Sequence, residues 1–114
     1  MINGLLLEES KMISNIFNSN SEKINEEVLE NLIKTDSFLL ERIISEGHTT
    51  PEGYFYDQEQ NEFVLLLKGF AKIAFEDCEV ELKEGDYLII PAHKKHRVTY
   101  TSEKEKTFWL TLYY

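Results

Sequence analysis

The chain has 114 residues, enough for one domain and too few for a second core of useful size. Twenty-one acidic residues against twelve basic ones give a net charge of -9, which disfavours nucleic acid and anionic membrane surfaces as partners. Cys78 is the single cysteine, so an intrachain disulfide and a cysteine-rich zinc site are excluded.

Hydrophobic residues make up 42% and charged residues 29%, the composition of an ordinary globular protein. The run Leu5-Leu6-Leu7 is too short for a signal segment or a membrane span. With the lone cysteine, this sets the expectation of a cytoplasmic protein.

In chain order, residues 1–11 read as a separate arm. Met12, Ile13, Ile16 and Phe17 have a helix-like spacing over a short stretch. From Asn25 to Lys34, the apolar residues Val28, Leu29, Leu32 and Ile33 predict a short amphipathic helix. Glu26 and Glu27 near its start and Lys34 at its end suit the helix dipole. The arm and helix together form an N-terminal segment, 1–36, packed on a β domain, 37–114.

That domain opens with the strand-like run FLLERIIS and a turn-rich loop from Gly47 to Gly53. Glu62–Lys68 is a second run, broken by Gly69. In Phe70–Asp77, Ala71, Ile73 and Phe75 share one face and Lys72 and Glu76 the other. Val80 and Leu82 alternate with Glu79, Glu81 and Lys83. Tyr87–Ile90 follows the turn Glu84-Gly85-Asp86. Lys95–Thr101 places His96, Val98 and Tyr100 on one face, and Thr107–Tyr114 closes the chain with aromatic and β-branched residues. Six or seven short strands at this spacing predict an antiparallel sandwich or barrel.

Four groups carry candidate chemistry. They are His93-Lys94-Lys95-His96; Tyr56, Asp57 and Gln58 with Glu62; His48; and the aromatic set Tyr54, Phe55, Tyr56, Trp109 and Tyr113. His96 sits among apolar strand residues. There it serves either as a core histidine with a backbone or tyrosine partner, or as a ligand or base inside the barrel. Glu62 opens an apolar run, as an exposed strand end or as a functional carboxylate. His93 follows Pro91 by two residues and belongs to a turn. Acidic neighbours disfavour a thiolate at Cys78, and no serine triad or glycine-rich phosphate loop is visible.

These residues resemble the cupin superfamily, in particular small single-domain bacterial cupins. The first cupin motif is written G-x5-H-x-H-x3,4-E-x6-G, and Glu62 and Gly69 stand at the spacing of its end. The second is G-x5-P-x-G-x2-H-x3-N, and Gly85, Pro91 and His96 match its spacing. The resemblance implies an all-β jelly-roll (double-stranded β-helix) barrel, with the short N-terminal helix added. It implies a divalent metal inside the barrel, Fe, Mn, Ni or Zn, held here by Gln58, Glu62 and His96. It also implies a homodimer.

The departures are specific. With a three-residue gap, the two histidines of motif one fall on Tyr56 and Gln58; with a four-residue gap, on Phe55 and Asp57. The second-motif glycine is His93 and the terminal asparagine is Tyr100.

Two functional readings stay open. In the first, a metal-dependent enzyme acts on a small organic acid or sugar, with Tyr56 or His93 moving protons. In the second, a non-catalytic binding or sensor module with a degraded metal site holds a small molecule. His48, Tyr54, Tyr56, His93, Tyr100 and Trp109 then line its pocket. A third, structural role has the strand TFWLTLYY extending a neighbour's sheet.

Overall fold

The computed structural model describes residues 12–114. Among them are eight strands and no helix: β1 (Val28–Lys34), β2 (Leu39–Ser45), β3 (Glu62–Lys68), β4 (Phe70–Phe75), β5 (Glu79–Lys83), β6 (Tyr87–Ile90), β7 (His96–Thr101) and β8 (Thr107–Tyr113). They form two antiparallel sheets. The larger has the order β1-β2-β8-β3-β6 and the smaller β5-β4-β7. The chain is therefore an all-β jelly roll.

Period-two alternation explains the core. On β3, Val64 and Leu66 are buried between half-exposed neighbours, and on β4 Ala71 and Ile73 do the same. These side chains pack with Leu82, Ile90 and Trp109 into one cluster shared by the two sheets. Burying each large apolar side chain contributes about 1.5–3 kcal/mol.

Gly69 turns the chain from β3 into β4 at φ +102°. A Cβ there would lie 2.7 Å from the Cα of Thr107, so no other residue fits this turn without displacing β8.

Four expectations are corrected. The helix expected from Asn25 to Lys34 is instead strand β1, which pairs along its length with β2. The register shifts between Asn31 and Ile33, so a bulge at Leu32 lets a four-residue apolar spacing sit on a strand. Leu29, Leu32 and Ile33 remain exposed and Val28 is only half-buried, so the stripe that suggested a helix forms no buried face. Pairing with β2 overrides the local pattern.

Residues 12–17 form turns rather than a helix. Phe17 packs edge-on against Phe108 at 5.7 Å, and Arg42 holds this segment by donating to the Ile16 and Asn18 carbonyls. The arm expected over residues 1–11 lies outside the described residues.

On β7, His96 and Val98 do not share a face with Tyr100. The ladder to β4 pairs Ile73 with Val98 and Lys72 with Tyr100, leaving Thr99 as an extra residue. This bulge turns Tyr100 outward and Thr101 inward, where its hydroxyl donates to the His48 carbonyl. Strand β8, expected to offer an edge to a neighbour, lies between β2 and β3 with both edges paired.

Candidate functional site

A cavity of about 290 Å³ opens between the sheets, walled by side chains of β1, β2, β3, β4, β7 and β8 and by the segment before β3 that carries Tyr56 and Gln58. Its size is at the small end of the range for ligand pockets. Ile43, Val64, Ile73, Val98 and Trp109 supply the apolar surface.

Glu62, the first residue of β3, and His96, the first of β7, meet in this cavity. His96 Nε2 lies 3.5 Å from Glu62 Oε1, and the two residues are 5% and 8% exposed. The Nδ1–H of His96 donates to the Lys94 carbonyl at 2.9 Å, since a carbonyl can only accept. Nε2 must then carry a second proton to face the carboxylate favourably. Burial works against that charge, but Glu62 and the Lys94 carbonyl together hold the imidazole above its ordinary value.

Tyr56 and Gln58 both line the cavity, while Asp57 between them points away and its carboxylate meets His93 Nδ1 at 3.0 Å. Backbone bonds fix this alternation. Tyr56 and His96 exchange both amide–carbonyl bonds, and the His93 amide donates to the Gln58 carbonyl. Phe55 also faces away, beneath the Arg97 guanidinium. The three-residue gap is thus the structural one, and Tyr56 and Gln58 occupy the two histidine positions of the first motif. The Gln58 Oε1 is buried and has no hydrogen-bond partner.

The remaining wall is acidic. Glu27, from the loop before β1, and Glu41, from β2, line the cavity with Glu62. Glu27 is set by a relay from the core: the Trp109 indole N–H donates to Ser45 Oγ at 3.1 Å, and the Ser45 hydroxyl donates to Glu27 Oε2 at 2.5 Å. Burial, then Glu62 and Glu27, raise the Glu41 carboxyl above its ordinary value. Burial, with Glu62 and Glu41, pushes the Tyr113 phenol up strongly, and burial, then Glu27, raises Tyr56. Thr111, between Trp109 and Tyr113 on the same strand face, is 2% exposed, with its hydroxyl beside the Tyr113 phenol.

Of the residues singled out from sequence, Tyr56, Gln58, Glu62, His96, Trp109 and Tyr113 come together here. The others do not line the cavity. His48 is held by the Glu46 amide and the Asn25 carbonyl. Tyr54 packs edge-on against Tyr56 at 5.2 Å and is exposed. Tyr100 packs against Phe70 on the outer face. His93 sits in an exposed turn at φ +67°, the left-handed conformation that explains why the second motif has glycine at this position. Glu27, Glu41 and Thr111 were not singled out. The inward face of FLLERIIS, which carries Glu41 beside Ile43, was the available signal for one of them.

The donor set does not fit a resident transition metal. The residues at the motif positions, Gln58, Glu62 and His96, offer one imidazole, one carboxylate and a neutral amide oxygen, which is a poor ligand for such an ion. Among the described residues, no group of three His, Cys, Asp or Glu converges on a metal position.

Comparison with known proteins agrees with the architecture. The family model described as Cupin domain matches residues 42–113. A crystal structure from Ralstonia eutropha JMP134, described as a candidate mannose-6-phosphate isomerase, shares 34% identity at a TM-score of 0.84, covering 89% of this chain and 95% of that one. A cupin superfamily protein from Desulfitobacterium hafniense DCB-2 shares 21% identity at a TM-score of 0.69, over 82% of each chain. The polyketide cyclase RemF from Streptomyces resistomycificus shares 21% at 0.66, over 78% of this chain and 65% of its own. The last two show the fold alone. No curated protein matches.

Proposed function

The chain belongs to the cupin family, and from that premise we propose that it is a non-catalytic binding cupin for a compact polar organic molecule. The observation that carries this reading is the buried, partnerless Oε1 of Gln58 beside the Glu62–His96 pair. A buried acceptor without a donor costs about 1–3 kcal/mol, which a ligand N–H or O–H would recover. Glu62 and Gln58 would hydrogen-bond the ligand, and Tyr56 and Trp109 would cover its apolar face. Of an organic acid and a sugar, the two ligand classes expected from family resemblance, the sugar suits this wall better. Three carboxylates repel an acid.

The competing reading is a metal-dependent enzyme holding Fe, Mn, Ni or Zn on Gln58, Glu62 and His96, with Tyr56 moving a proton. The described name of the Ralstonia protein would make it an isomerase of a sugar phosphate. Elemental analysis of purified protein, after reconstitution with each metal, decides between the two. No stoichiometric metal, and no interconversion of mannose 6-phosphate, is the expected result. A stoichiometric ion lost in His96→Ala would replace the binding reading with the enzymatic one.

A homodimer is part of the proposal, supported by exposed Leu29, Leu32 and Ile33 along the edge strand β1. Among the described residues no helix is long and apolar enough to cross a membrane.

A further inference from the structure

Resting on the binding reading above, the geometry points to a ligand that carries a protonated amine, held between the Glu27, Glu41 and Glu62 carboxylates. Three observations converge on this. The first is charge. These three glutamates line one cavity, and among the described residues its lining contains no lysine or arginine, with His96 as the only group able to oppose them.

The second is hydrogen-bonding capacity. Gln58 Oε1 is a buried acceptor without a donor. With the carboxylates, the site has a surplus of acceptors. An ammonium brings three donors and no acceptor, so it satisfies such a site, whereas a carboxylate or phosphate leaves it worse matched.

The third is preorganisation. Glu27 is exposed, but the Trp109–Ser45 relay ties its carboxylate to the core. Its position is set before any ligand arrives, which lowers the ordering cost of binding. The Tyr56, Tyr113 and Trp109 rings complete the wall, and aromatic faces also attract organic cations.

Three isosteres test this by calorimetric titration of the full chain: cyclohexylammonium, cyclohexanol and cyclohexanecarboxylate. The ammonium is expected to bind about tenfold more tightly than the alcohol, since hydrogen bonds to charged groups exceed neutral ones by roughly that factor. The carboxylate is expected to bind more weakly than either. The double variant Glu27→Gln/Glu41→Gln keeps the acceptor for Ser45 and should reduce the ammonium to the level of the alcohol. The double variant Glu84→Gln/Glu105→Gln removes the same charge from exposed positions and should keep the preference.

Equal binding of ammonium and alcohol overturns the amine assignment and leaves the binding reading intact. Tighter binding of the carboxylate also overturns it, as does loss of the preference in the surface-charge control. Failure of all three probes, with the Trp109 fluorescence unmoved, overturns both.

Discussion

His96 faces Glu62 across 3.5 Å with its other ring nitrogen already committed to the Lys94 carbonyl. Glu62 and the Lys94 carbonyl both favour a proton on His96 against the effect of burial, and this has consequences for stability.

Both His96 and Glu41 sit above their ordinary values in the folded chain. Each therefore binds its proton more tightly folded than unfolded. Its contribution is fully present below the ordinary value, 4.5 for Glu41 and 6.5 for His96, and is lost as the pH rises through the raised folded value. Relative to Glu41→Gln, the wild type should gain stability on acidification from about pH 7 to about pH 5. Urea melts of both proteins across that window check the sign, and a gap that is constant or widens against the wild type contradicts it.

Gly69 and His93 both occupy left-handed turns, yet substitutions there should act in opposite directions. Gly69→Ala combines backbone strain with a clash against Thr107 and should cost roughly 2 kcal/mol or more. His93→Gly relieves a strained side chain in an exposed turn and should stabilise by on the order of 0.5–1 kcal/mol, without changing ligand affinity. Thermal denaturation and the titration above read both effects. A loss of binding in His93→Gly would return His93 to the site.

Ser45→Ala severs the link between Trp109 and Glu27. It orphans the buried indole N–H at a cost of about 1–3 kcal/mol and frees the Glu27 carboxylate. Weaker amine binding should accompany the lost stability. Unchanged affinity would show that the relay supports the core and does not position Glu27.

The apolar edge of β1 predicts a dimer in solution. Leu32→Lys together with Ile33→Lys should shift the particle to monomer, with little effect on the isolated fold, because both positions are exposed. Sedimentation measures this, and a monomeric wild type would remove the idea.

Legibility followed the strength of the local signal. The strand Glu62–Lys68 was read from sequence with its observed bounds, because a charged residue and Gly69 frame an uninterrupted apolar run. Glu62 and His96 were found through motif spacing that a strand-end geometry imposes. Where a bulge breaks the period of two, reading failed. The Leu32 bulge turned a strand into an apparent helix, and the Thr99 bulge put Tyr100 on the wrong face. Glu27 was invisible for another reason: it reaches the cavity from a loop, and only the Ser45 relay places it there.

The place of β8 between β2 and β3 also makes the larger sheet depend on contacts distant in sequence. Neither neighbour pairs with the other, so the larger sheet stays in two pieces until β8 bridges segments far apart in sequence. Closing such distant contacts slows folding, and until it happens β2 and β3 each present an open edge to other chains. The same strand brings Trp109, Thr111 and Tyr113 to the cavity. A chain in which β8 has not docked therefore lacks three residues of the cavity wall as well as the strand that joins the sheet.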